Sequence, residues 1–256
     1  MSTDRPLAGQ VALITGGARG IGRAVALALA RAGMDIALTF HRSTGGMTEV
    51  VAAVREQGRE AHAIAVDLGE ENAIAEIVRR FSARFGRLDV MVNNASLFSP
   101  TPLSELTPDE FDRMMRVNAR APLMLIQAFA PLLGAHYRPE DKASAGRVVN
   151  FVDIHVLGEP LKGFVAYNAS KAALMEITVT CAVELAPRIT VNAVAPGAVS
   201  WPAFYNEEQR AALLQRIPLQ RQGTPEECAA AVMFLVRDAS YCTGQIIRVD
   251  GGRYLA

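Results

Sequence analysis

Apolar positions along this chain fall into two patterns. Short runs of aliphatic and β-branched residues, with no polar alternation, read as strands buried on both faces. They cover residues 10–15, 35–40, 61–66, 88–92, 147–152, 190–195 and 245–249. Between most of them lie amphipathic stretches with helical spacing, at 22–32, 48–57, 71–85, 107–133, 167–185 and 225–236. Gly33 and Gly58 follow the first two as helix stops. Residues 134–146 are polar and turn-rich and read as a surface loop. Strand and helix in this alternation predict an α/β fold, a doubly wound seven-stranded parallel sheet with helices on both faces. No repeat or low-complexity tract divides the chain, so residues 1–256 read as a single domain.

Composition narrows the picture slightly. Half of the 256 residues are hydrophobic and a fifth are charged, an ordinary balance for a globular protein. The 26 basic residues match the 26 acidic ones, which leaves no basic footprint for nucleic acid or a membrane surface. Cys181, Cys228 and Cys242 are too few and too scattered for a disulfide framework or a zinc site, and no metal is expected. Residues 1–10 carry no signal-like apolar stretch, and no run reaches the roughly 20 apolar residues of a membrane span. Cytoplasmic residence is the expectation.

The turn after the first strand carries candidate chemistry. It reads Thr15-Gly16-Gly17-Ala18-Arg19-Gly20-Ile21-Gly22. Gly16 permits a sharp strand exit, Gly20 lets backbone approach a pyrophosphate, and Gly22 lets the helix pack close to the sheet. The following helix N-terminus offers free N–H groups to phosphate. In this position the turn predicts a dinucleotide and a Rossmann fold. The second strand ends in His41-Arg42-Ser43 with no carboxylate for a ribose 2′-hydroxyl. Arg42 can fork onto a 2′-phosphate, with His41 and Ser43 donating beside it, so the expected cofactor is NADPH. Asp67, after the third strand, either accepts from the adenine amino group or holds a turn.

Tyr167 and Lys171 stand four apart on a predicted helix and share a face. A phenol with a pKa near 10 is a poor proton donor, and an adjacent ammonium is expected to lower that value.

With the glycine turn, this pair resembles the short-chain dehydrogenase/reductase family, over nearly the whole chain. Asn93-Asn94-Ala95 resembles its motif after strand four, Asn118 its catalytic asparagine, and Pro196-Gly197 the dipeptide that lines the nicotinamide. The resemblance implies hydride transfer, protonation by Tyr167, a ribose-holding Lys171, and a water chain supported by Asn118. It implies cofactor contacts from Gly16, Arg19, Gly20, Ile21, Gly22, His41, Arg42, Ser43, Asp67, Leu68, Asn94, Ala95, Ser96, Tyr167, Lys171, Pro196, Gly197 and Val199.

One departure matters. Where the family has a substrate-orienting serine, this chain has Asp153, one position farther from Tyr167 than usual, and no serine or threonine lies between them. An ionised carboxylate only accepts hydrogen bonds, so it suits a substrate rich in N–H donors, such as a pterin. Other stretches resemble the pteridine reductase branch: Asn93 to Phe98 followed by Pro100-Thr101-Pro102, then His41-Arg42-Ser43, and Val152-Asp153 with Pro160-Leu161 and Gly163-Phe164. Ser200-Trp201-Pro202 resembles a substrate-loop segment of bacterial members. Some members carry arginine where Gly20 stands, so a contact made by that arginine is missing here. The resemblance implies Phe98 stacking on a pterin, with Ser96, Asp153, Leu161, Tyr167 and Trp201 as further substrate contacts and Asp153, Tyr167, Lys171 and Asn118 as catalytic residues.

The expected activity is NADPH-dependent reduction of a dihydropteridine or folate. Two alternatives stand beside it: a carbonyl reductase of the same family acting on 3-oxoacyl thioesters or small ketones, and a non-catalytic NADPH-binding protein. The resemblance also implies a homotetramer. Residues 250–256 could reach a neighbouring subunit's site.

Overall fold

Val11–Ile14 (β1) is buried at every position, as a strand covered on both faces must be. The computed structural model describes residues 5–141, 143–201 and 205–255. After β1 the chain runs through α1 (Gly20–Arg31), β2 (Asp35–Phe40), α2 (Thr44–Glu56), β3 (Ala61–Ala65), α3 (Ala73–Ser82) and β4 (Val90–Asn93). Then follow α4 (Pro108–Met115), α5 (Ala121–Leu133), β5 (Gly146–Phe151), α6 (Val165–Leu185), β6 (Ile189–Pro196), α7 (Glu207–Gln215), α8 (Pro225–Arg237) and β7 (Ile246–Val249).

The strands form one seven-stranded sheet in the order β3-β2-β1-β4-β5-β6-β7, parallel at every pairing. The predicted fold class is the one observed. α1, α2 and α8 bury one apolar cluster against one face of the sheet. α3, α5 and α6 bury a second, which includes Phe81, Phe129 and Leu13, against the other. The chain steps outward from β1 to β3 and then returns past β1 to β4. This reversal opens a crevice at the carboxyl ends of the strands, the usual ligand position in such sheets.

Several boundaries differ from expectation, each for a local reason. α1 begins at Gly20, because the glycine turn itself winds into the first helical turn. α2 begins at Thr44 and takes in Gly45 and Gly46, residues of poor helix propensity that tertiary packing overrides. The stretch predicted as one helix over 107–133 is α4 and α5 joined by a single wide π turn, Arg116–Arg120, which holds Asn118. α7 was not expected. Its start is marked by reciprocal capping between Asn206 and Gln209, a signal legible in the sequence. Among the described residues no helix is long and apolar enough to cross a membrane, and no cluster of three or more His, Cys, Asp or Glu could hold a metal.

Phe81 is wholly buried and packs edge-on against Phe129, with ring centroids 5.1 Å apart. Phe81→Ala should lower folding stability by about 3–5 kcal/mol, measured by urea unfolding. A loss smaller than that of an ordinary surface substitution would contradict this account of the core.

Candidate active site

Two clefts lie over the crevice and share Ile21, Asn94, Ser96 and Ser200, so they form one continuous groove. The larger, of about 650 Å³, runs over the carboxyl ends of β1, β2 and β3. The smaller, of about 310 Å³, lies over β5 and β6 and the start of α6.

The larger cleft is built on the glycine turn. Thr15 Oγ accepts the backbone N–H groups of Asn94 and Ala95, each at 3.0 Å. Asn94 Nδ2 donates back to the carbonyls of Thr15 and Gly16, again at 3.0 Å. These four bonds latch the end of β4 to the turn and set the floor shared by both clefts. A side chain at Gly22 would put Cβ 2.4 Å from the Gly16 carbonyl oxygen, so Gly22 acts by letting α1 approach and does not line the groove. Gly20 faces open space at φ +53°. The first turn of α1 carries no acidic side chain, which leaves its N–H groups available to an anion.

Arg19, Gly20, Ile21, His41, Arg42, Ser43, Asp67, Leu68, Ala95 and Ser96 line this cleft with Gly16 and Asn94. Ser43 sits at the N-cap of α2 without a side-chain cap bond. Asp67 is a turn residue: Oδ1 accepts the Gly69 N–H at 2.9 Å, and Oδ2 accepts from Arg113 at 3.0 Å with His41 at 3.6 Å. Burial works to raise the Asp67 pKa, but the Gly69 N–H and Arg113 together hold it below the usual carboxylate value. Arg113 was not anticipated. It reaches the cleft from α4, far away in sequence.

Asp153, Phe98, Leu161, Tyr167, Lys171, Pro196, Gly197, Val199 and Trp201 come together in the smaller cleft with Ile21, Asn94 and Ser96. Pro202 lies outside the described residues. Asp153 is fixed at both oxygens. Oδ1 accepts the N–H of His155 and caps the short 3-10 turn Ile154–Val156, while Oδ2 accepts the Tyr167 hydroxyl at 2.6 Å. Lys171, buried, donates to the Phe151 carbonyl at 2.6 Å, with its ammonium 6.0 Å from the Tyr167 ring centre.

This geometry corrects the expected acidification of Tyr167. Burial first, and then the charge and hydrogen bond of Asp153, push the phenol well above its ordinary pKa. The ammonium that helical spacing brings close is itself desolvated: burial lowers the Lys171 pKa to about 8, against an opposing pull from Asp153. Tyr167 is therefore a neutral hydrogen-bond donor in this structure.

Asn118 does not line the cleft. Its Oδ1 accepts the Leu97 N–H at 2.8 Å, and its Nδ2 donates to the Leu97 carbonyl and to Ser170, both at 3.0 Å. The side chain is thus a brace between the Leu97 loop and α6, and a water chain could use only its backbone.

Phe98 stacks on Phe164 at 4.8 Å and meets Tyr167 edge-on at 4.7 Å. The loop is pinned there by Thr101. Its N–H donates to the Gly163 carbonyl at 2.7 Å, and its Oγ accepts the Ala166 N–H at 3.1 Å.

Comparisons with known proteins agree with this layout. The family model described as "Enoyl-(Acyl carrier protein) reductase" matches residues 16–253. A 3-oxoacyl-[acyl-carrier-protein] reductase of Synechocystis is 36% identical, over 96% of this chain and 97% of its own. A short-chain dehydrogenase of Burkholderia cenocepacia, solved with NADP, is 37% identical with a TM-score of 0.87, over 96% and 98% of the two chains. FolM alternative dihydrofolate reductase 1 of Brucella canis, also solved with NADP, is 33% identical with a TM-score of 0.85, over 98% and 96%. The chain belongs to the short-chain dehydrogenase/reductase family of oxidoreductases.

A lysine whose folded pKa is depressed binds fewer protons folded than unfolded at pH values between the two constants. The penalty of burying its charge is full below pH 8 and fades above it. The stability of the native enzyme relative to Lys171→Met should therefore rise as pH climbs from about 8 toward 10, measured by paired urea titrations. A flat difference would show that the ammonium is not desolvated.

Proposed function

We propose that this protein is an NADPH-dependent reductase of a C=N bond in an N–H-rich heterocycle of the dihydropteridine type. The observation that carries the reading is the Asp153 carboxylate, which lines the cleft with one oxygen on the Tyr167 hydroxyl at 2.6 Å. The open space at Gly20, the uncapped Ser43 and the acid-free start of α1 suit a dinucleotide with a 2′-phosphate at Arg42. The bound cofactor supplies the hydride.

The chain's own groups do the rest. Phe98 offers an aromatic wall for a flat ring. Asp153 accepts from ring N–H groups and repels a developing alkoxide, which works against ketone reduction at this position. Tyr167 keeps its proton until a strong base arrives. Hydride addition to C=N leaves a nitrogen anion, more basic than the alkoxide from a ketone, so even a weakly acidic phenol can protonate it. Lys171 then steadies the phenolate and holds a ribose hydroxyl of the cofactor.

A second reading, reduction of 3-oxoacyl thioesters, is supported more directly by the names of curated relatives, such as that of Synechocystis. Position 153 separates the two. A panel of dihydrobiopterin, dihydrofolate and acetoacetyl-CoA, followed by loss of NADPH absorbance, decides between them. A homotetramer is part of the same proposal, and exposed Val179 and Val183 give α6 an apolar face for a second copy.

Asp153→Ala should lower dihydropteridine turnover by about 10²–10⁴-fold and leave NADPH binding intact. Unchanged turnover refutes its role. Arg42→Ala should weaken NADPH about tenfold or more while barely moving NADH, measured by quenching of protein fluorescence. Equal effects on both cofactors would remove Arg42 from the 2′-phosphate site.

A further inference from the structure

The last turn of the chain is built around one side chain that the reading above leaves without a task. Arg253 is 8% exposed and lines the same cleft as Asp153 and Tyr167. Its Nε is sealed from solvent and has no hydrogen-bond partner. Among the described residues its guanidinium makes no ion pair, although Arg216 and Glu159, whose charges both act on it, pair with each other at 2.6 Å.

The surrounding structure holds this side chain in place. Asp250 accepts the backbone N–H groups of Gly252 and Tyr254 at 3.0 and 2.9 Å. Gly251 and Gly252 turn the chain at φ +65° and +86°, which favours glycine. The Tyr254 hydroxyl donates to the Leu157 carbonyl at 2.8 Å and clamps the turn to the loop after Asp153. The turn is thereby held against the cleft of its own chain. Burial, then Arg216, push the guanidinium below its usual pKa, while Glu159, Asp153 and Tyr205 pull it up. A buried cation without a partner is costly, and an incoming anion removes that cost.

We propose that Arg253 is a specificity residue that receives an anionic oxygen group, carboxylate or phosphate, carried on the substrate outside its reacting ring. The cleft is then bipolar: an acid for ring N–H donors and a cation for a charged tail. The inference rests on the dihydropteridine reading and narrows it to acid-bearing members of that class.

The test measures kcat/KM for dihydrofolate, whose tail bears carboxylates, for dihydroneopterin phosphate, and for dihydrobiopterin, whose side chain is uncharged. In the full-length enzyme, Arg253→Met should lower the ratio of a charged substrate to dihydrobiopterin about tenfold or more, mainly through KM. Arg253→Lys should restore part of it. Loss with dihydrofolate alone identifies a carboxylate site, and loss with the phosphate ester alone identifies a phosphate site. NADPH binding and thermal melting report whether each variant is folded. An unchanged ratio in a folded Arg253→Met overturns the inference and leaves the dihydropteridine reading standing. A native enzyme that ignores all three pteridines yet reduces acetoacetyl-CoA overturns that reading, and the inference falls with it.

Discussion

A carboxylate held at both of its oxygens organises the reacting end of this enzyme. One oxygen of Asp153 closes the turn that follows β5, and the other takes the hydroxyl of Tyr167. Neither contact is free to vary independently. The turn directs the acid toward α6, and α6 brings the phenol and, one helical turn later, the ammonium of Lys171. Tyr167 and Lys171 are buried beside a partly buried Asp153, which acts on the protonation of both. Burial, reinforced by the acid, keeps the phenol protonated, and burial leaves the ammonium less firmly charged than a surface lysine.

Much of this was legible in the sequence, for reasons that differ by residue. The glycine turn, His41-Arg42-Ser43 and the Tyr167–Lys171 pair are local patterns, and local patterns survive folding. The alternation of strand and helix carried the parallel sheet, and the glycine turn after the first strand marked it as the open, doubly wound kind. What the sequence concealed came from contacts between distant elements. Helical spacing showed Tyr167 a cation, whereas burial and the acid that follows β5 set the direction of its pKa. Asn118 was placed by motif in the chemistry, and the structure uses its side chain as a brace. Arg113 and Arg253 reach the groove from α4 and from the last turn, and neither carries a local signal.

Sequence relatives and the acid at position 153 pull in different directions. A relative that shares about a third of its residues over the whole length shares the scaffold and the cofactor groove. Substrate choice depends on a handful of side chains over the smaller cleft. Fold and family therefore constrain the reaction class, and under the proposed function position 153 constrains what is reduced.

The Thr101 tether has a consequence for binding. Backbone and hydroxyl bonds join its loop to Gly163 and to the first turn of α6, which sets the Phe98 ring against Phe164 before any substrate arrives. A wall ordered in advance loses little conformational entropy on association. Under the proposed function, a small, flat heterocycle meets a wall already in place, and the discrimination left to polar groups is not eroded by loop reorganisation.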